Sequence, residues 1–295
     1  MYYILYNPLS GSKQGETLAR ALTQKLGNEE HTYVNLHTVT DYSAFWSTVD
    51  LVNDTVILAG GDGTLNRFIN ENEGTALPEK LYYYAAGNGN DFKKDVSPDS
   101  DEIIPLTDYI KDLPTVTVNG KTQRFINGIG FGIDGYCCEV GDRMRAESDK
   151  PVNYTAIAIK GLLGKFKPAN ATVTVDGETK TYKKVWIAPT MKGRYYGGGM
   201  KVTPEQDRFD PEGKVSYCMF HGSGALKTLM VFPSIFKGEH VKHTECVAIG
   251  SGHEITVTFD SPRSLQIDGE TILGVTSYTV RTGKKAAKEE PVAVK

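Results

Sequence analysis

The chain has 295 residues, 39% of them hydrophobic and 23% charged, with a formal net charge of -3, which is length enough for two compact domains. A net charge this near zero supplies no global positive field, so nucleic acid is excluded as a partner held by broad electrostatics. Four cysteines, Cys137 and Cys138 adjacent and Cys218 and Cys246 isolated, form neither a disulfide framework nor a zinc spacing and point to reduced thiols in a cytoplasmic protein.

The first residues, MYYILYNP, lack the basic start, apolar core and cleavage site of a signal peptide. Tyr2 to Tyr6, Thr32 to Leu36, Thr55 to Leu58 and Leu81 to Tyr84 read as short strands, separated by stretches with helical spacing such as Leu18, Ala21, Leu22 and Leu26. That alternation predicts an α/β domain over residues 1–122, a Rossmann-like parallel sheet with flanking helices. From about residue 115 the punctuation changes to that of a β-rich domain. Thr115 to Phe125 alternates about Asn119-Gly120, a hairpin signal, and Val173 to Thr179 repeats the device about Asp176-Gly177. Val215 to Phe220, Glu254 to Phe259 and Ser264 to Ile267 add strands, with one helical interruption at Tyr154 to Phe166. The second domain is therefore expected over 123–275, with a strand around 276–283 returning to the first domain and a frayed, charged tail at 284–295. The longest apolar stretch, 226–236, is broken by Lys227 and Pro233 and falls well short of the roughly 20 residues that span a bilayer. Any membrane contact is expected to be peripheral.

In a parallel sheet ligands bind beyond the carboxyl ends of the strands. After the first strand comes Asn7-Pro8-Leu9-Ser10-Gly11-Ser12-Lys13, a turn whose amides can face an anion and whose Lys13 adds a full charge. It reads equally as an ordinary strand-to-helix turn. After the third strand comes Gly60-Gly61-Asp62-Gly63-Thr64, where three glycines in four positions let backbone amides approach a phosphate. An acid amid such a loop suits the handling of a metal or a proton. A third loop, Ala86 to Phe92, again combines glycines with short polar side chains. None of these is a Walker A motif or GxGxxG.

Taken together, Gly60 to Thr64, preceded by Asn7-Pro8-x-Ser10-Gly11 and followed by Gly87-x-Gly89-Asn90-Asp91-Phe92, resembles the catalytic domain of diacylglycerol and sphingosine kinases, the bacterial soluble diacylglycerol kinases and their relatives most of all. The resemblance continues in order through Phe125 to Asp134, Gly197 to Met200 with Pro204, Gly238-Glu239-His240, and Ser264 to Glu270. It implies an ATP-dependent lipid kinase with a nucleotide-binding α/β domain, a β-sandwich domain, and an active site in the cleft between them. ATP is then expected on Asn7, Pro8, Ser10 and Gly11, on Thr38, on Gly60, Gly61, Asp62, Gly63, Thr64, Leu65 and Asn66, and on Asn88. The catalytic acids implied are Asp268 and Glu270, with Asp62 facing them. Proton acceptance by a carboxylate suits phosphoryl transfer, whereas by themselves Asp268-Gly269-Glu270 also read as a plain β-turn.

The chain departs from the family pattern in three places. Asn88 stands where threonine is common, and Arg67 where an acid is common. The loop that holds a structural magnesium in the bacterial enzymes reads Asp207 to Gly213, one residue longer, leaving Asp210 and Glu212 as the expected Mg2+ ligands. His240 and His243 do not converge reliably as a metal pair. Lys160, Lys165 and Lys167 beside Ile157, Ile159, Leu162, Leu163 and Phe166 fit either an anionic membrane surface or a core-facing helix with solvated lysines. Asp134 matches a family acid without an assigned step. The expected acceptor is a lipid hydroxyl at the membrane surface, diacylglycerol first. An NAD kinase, which shares the Gly60 to Thr64 motif, and a catalytically silent nucleotide or lipid sensor are the alternatives. The sequence does not fix the oligomeric state, a homodimer included.

Overall fold

The computed structural model describes residues 1–27, 29–100, 103–148 and 152–283; the tail expected at 284–295 lies outside them. Four β-favouring runs form the parallel strands β1 (Tyr2–Tyr6), β2 (His31–Asn35), β3 (Thr55–Gly60) and β4 (Lys80–Ala85), and β5 (Ile104–Pro105) adds antiparallel to β4 in the order β2-β1-β3-β4-β5. Ile4, Leu5, Val56, Ile57, Leu58 and Ala59 are wholly buried, as expected of central parallel strands covered on both faces. The helix Gly15–Leu26 turns Ala19 and Leu22 to the core, while Ala21 is exposed, one position off the expected stripe. The loops after β1, β3 and β4 meet at one edge of this sheet.

The second sheet starts earlier than the sequence suggested. Strands β6 (Thr115–Val118) and β7 (Lys121–Arg124) form the expected hairpin, with Asn119 and Gly120 both at positive φ, as a two-residue primed turn requires. This hairpin joins the large sheet, so the change of sheet falls before Thr115 and not after residue 122. The strand expected around 276–283 to return to the first domain is the end of β17 (Glu270–Arg281), which pairs with β6 and with β16 (Glu254–Ile267) in the large sheet. The reason is shared burial: Val116, Val118, Tyr278 and Val280 face the same core as Ile255 and Val257.

Ten strands make up this sheet. Its order is β15-β14-β11-β8-β16-β17-β6-β7, where β8 is Gly128–Phe131, β11 Thr190–Met191, β14 Val215–Phe220 and β15 Val247–Gly252. The pair β9 (Ala169–Val175) and β10 (Glu178–Val185) attaches to β16. Two runs that looked like separate strands are one, β16. Its first half pairs with β9 and its second with β8, and its register with β17 shifts between Thr258 and Arg263. Such an irregularity bends a strand, and here it carries β16 between the two layers of an antiparallel sandwich. β12 (Tyr195–Tyr196) and β13 (Met200–Lys201) form a small ribbon around the Gly197 to Gly199 turn.

Helices cover one side of the sandwich. Tyr154–Lys160 is helical as expected and runs into a π turn at Gly161–Lys165. A 15-residue helix, Ile133–Glu147, was not expected. Two glycines and two cysteines blur its apolar stripe. It lies directly on β16, where a Cβ at Gly135 would fall 1.9 Å from the Ser264 carbonyl oxygen.

Candidate active site

Three strand-end loops of the first sheet are tied into one surface. Asn7 Nδ2 donates to Thr64 Oγ1 at 2.9 Å, and Ser10 Oγ lies 3.2 Å from the same hydroxyl. Asn88 Nδ2 donates to Ser12 Oγ at 3.3 Å. Gly11, Ser12 and Lys13 all have positive φ, a curl that aims successive amides to one side, and a Cβ at Gly11 would fall 2.9 Å from the Ala86 carbonyl oxygen. Gly61 and Gly87 touch backbone to backbone: a Cβ at Gly87 would lie 2.4 Å from Gly61 Cα. The cradle thus needs glycine for close approach, the property that lets amides reach phosphate oxygens.

Asp62 begins the helix Asp62–Glu71, yet its carboxylate serves a neighbouring helix. It accepts the backbone N–H groups of Asp91 at 3.0 Å and Phe92 at 2.9 Å, capping Asp91–Val96, and it also accepts Asn127 Nδ2 at 3.0 Å from the second domain. Thr64 faces the first loop, whereas the Leu65 side chain is fully buried in the first-domain core and cannot meet a nucleotide. Asn66 is also turned inward, donating to Asp268 Oδ2 at 2.8 Å. Thr38 sits in the turn after β2, bonded to the Asn35 carbonyl at 2.8 Å, and Pro8 lies between Asn7 and the left-handed curl.

Asp268-Gly269 proves to be a third two-residue hairpin turn, both residues at positive φ, with Ile267 and Glu270 paired across it. The turn sends its two acids to different fates. The Asp268 side chain is buried and accepts from the N–H groups of Ile126 at 2.7 Å and of Asn127 and Gly128 at 2.9 Å, besides Asn66. Burial pushes this carboxyl up, and those four donors pull against the rise. With both oxygens committed, Asp268 holds the domains in register and has no free lone pair directed at a substrate. Glu270, by contrast, is exposed, and its Oε1 lies 3.9 Å from where a Cβ on Gly63 would stand. One acid of the second domain therefore looks directly onto the glycine loop of the first.

The contact between the domains also rests on residues that were not named as site residues from the sequence. Asp91 Oδ2 accepts the Gly198 N–H at 2.8 Å, while its Oδ1 is buried without a hydrogen-bond partner; burial, then the nearby Asp62 charge, push its carboxyl up to about 6. Asp95 receives Arg194 Nε and Arg208 Nε, each at 2.5 Å, and the Arg208 guanidinium stacks over Phe92. Asp91, Asn127 and Arg208 fell inside quoted motifs, Arg208 without a role. Asp95 and Arg194 carried no local signal.

The expected magnesium loop does not gather its ligands. Asp210 Oδ1 accepts the Lys214 N–H at 3.1 Å and Glu212 pairs with the Lys214 ammonium. Among the described residues no group of three His, Cys, Asp or Glu side chains is arranged to hold a metal ion. The acidic side chains of this loop therefore do not by themselves make up a divalent-ion site. His240 is buried against the Val202 carbonyl and His243 turns to Glu245, so they form no metal pair either.

Residues 1–119 match the family described as the diacylglycerol kinase catalytic domain, and residues 127–287 match the YegS C-terminal NAD kinase beta sandwich-like domain. The chain is 28% identical over 200 residues to a diacylglycerol kinase of Mycobacterium tuberculosis, covering 65% of this chain and 63% of that relative's length. A diacylglycerol kinase of Bacillus subtilis is 22% identical over 277 residues, 90% of this chain and 88% of that one. A solved structure from Bacillus anthracis str. Sterne has the same fold, with a TM-score of 0.67 at 18% identity over 96% of this chain and 92% of the other.

Proposed function

We propose a function from the premise that this chain belongs to the diacylglycerol kinase family, with that family's catalytic domain followed by the YegS-type sandwich. The chain transfers the γ-phosphoryl group of ATP to a lipid hydroxyl, with diacylglycerol or a related glycerolipid as acceptor. The observation that carries this reading is the meeting of Glu270 with the Gly63 loop across the domain boundary. A cradle of amides on one side and an accessible carboxylate on the other are the two things that phosphoryl transfer to an alcohol needs.

In this reading the phosphates lie against the amides of Gly11 to Lys13 and Gly60 to Thr64. The acceptor oxygen attacks the γ-phosphorus, the bond to the β–γ bridging oxygen breaks, ADP leaves with the electron pair, and the hydroxyl proton passes to Glu270. Magnesium enters as part of the nucleotide substrate, where it neutralises charge on the phosphates. Asp62 and Asp268 act as positioning residues, since their oxygens are held by backbone and side-chain N–H groups.

A lipid acceptor is further supported by the surface. Leu163, Leu226 and Met230 are 69, 74 and 75% exposed on adjacent helical segments that also carry Lys160, Lys165 and Lys227. Apolar side chains among lysines suit an anionic bilayer surface, and no described helix is long and apolar enough to cross a membrane. The test offers labelled ATP and magnesium with diacylglycerol vesicles, with NAD, or with no acceptor. Label should enter the lipid phase. Label in NAD, or hydrolysis alone, would sink the reading.

A further inference from the structure

The loop 203–213 holds no ligand set for a divalent ion, yet an oxygen-rich site does exist beside it, and a side chain fills it. Arg208 is almost wholly buried at the domain boundary. Its Nε donates to Asp95 Oδ2 at 2.5 Å, its Nη1 to the Ile126 carbonyl at 2.6 Å and its Nη2 to Asn127 Oδ1 at 2.6 Å. One carboxylate, one backbone carbonyl and one side-chain carbonyl are the kind of oxygen donors that hard divalent cations use. The slot is shaped for the guanidinium: a Cβ at Gly193 would fall 2.1 Å from Arg208 Nη2.

We infer that Arg208 is a resident cation built into the chain, which makes the domain boundary independent of the structural magnesium that the resemblance implies at Asp210 and Glu212. Both its chemistry and its connections support this. A buried carboxylate such as Asp95 requires a positive partner, and Arg194 and Arg208 supply two. Arg208 also anchors Asn127, whose Nδ2 donates to Asp62, and Ile126, whose N–H donates to Asp268. The arginine thus links the glycine loop of the first domain to the Asp268 turn of the second. A divalent ion added to this set would place a second cation against the guanidinium. The interdomain frame is therefore independent of metal, even if the nucleotide arrives with magnesium.

The test is thermal melting of the full chain without nucleotide, so it does not depend on the proposed activity. The wild-type midpoint should be the same in EDTA and in millimolar MgCl2 or CaCl2. Arg208→Ala should melt lower by about 10 °C, as expected for stranding a buried charge, and the exposed oxygens should make its midpoint rise with added divalent cation. A wild-type protein that loses stability on chelation would overturn the inference. So would an Arg208→Ala variant that melts like wild type, or one that melts lower and ignores cations, which would make Arg208 an ordinary ion-pair partner. Should that variant fail to fold, the wild-type comparison in EDTA and magnesium still decides.

Discussion

Two buried aspartates flank the second half of β16 and have opposite surroundings. Asp268, 6% exposed, sits in the turn after the strand with four N–H donors around it. Asp134, 7% exposed, starts the helix that lies on the strand, and its oxygens make no well-aligned hydrogen bond, with only the Tyr196 hydroxyl and the Asp134 and Gly135 N–H groups close enough to offset its burial. Burial alone therefore says little about what a carboxylate does. A carboxylate ringed by amides fixes backbone in place, whereas one with poorly placed donors is held against its own preference for water, and burial pushes its carboxyl up to about 6. Glu270, exposed and two residues from Asp268, supplies a third condition, a carboxylate open to water beside the Gly63 loop.

Substitutions that remove one charge at each site separate these conditions. Glu270→Gln should have the largest effect, a fall in kcat of about 10² to 10⁴ with an unchanged melting temperature. Near-normal turnover would remove Glu270 from the reaction. Asp268→Asn turns an NH2 group toward backbone N–H donors and should destabilise the fold by about 3 kcal/mol in a denaturant titration. A stability equal to wild type would mean that the ring of amides is not what holds the turn. Asp134→Asn should have an effect no larger and of the opposite sign. The Asp134 carboxyl is raised from 3.8 to about 6 in the fold, so this group's contribution to wild-type stability is present in full below pH 4 and is lost as pH rises through 6. The variant should match wild type near pH 4 and exceed it by up to about 3 kcal/mol at pH 8. A difference that does not change with pH would place the origin elsewhere than in ionisation.

What could be read from the sequence was what depends on neighbours in the chain. Strands β1 and β14 coincide with the predicted runs because β-favouring residues and turn signals bound them locally. The turns at Asn119-Gly120 and Asp176-Gly177 were legible because few residue pairs accept positive φ twice in succession. Asp268-Gly269 is the same device, but by sequence alone its acid reads equally as solvated turn or as chemistry. The glycine loops could be recognised because they work through backbone. The Asp95, Arg194 and Arg208 cluster could not, since it joins residues 99 and 113 positions apart that belong to no shared pattern. The loop from Asp207 to Gly213 has the composition of a metal site, and a lysine one residue beyond it takes the acid that would have completed one.

The bond from Asn66 to Asp268 spans 202 positions, and that distance is also an interval of time. At the usual pace of synthesis, about 5–20 residues per second, roughly 10 to 40 seconds separate the emergence of the glycine loop from that of the aspartate that steadies the helix behind it. The first sheet is built from strands near one another in the chain and can assemble early. Its helix would then wait, with Asn66 Nδ2 bonded to the Arg124 carbonyl alone, until the last hairpin of the second domain arrives. A nascent chain halted before residue 268 would possess all three strand-end loops without the aspartate that joins the helix behind them to the second domain, so that joint closes late and by a single turn.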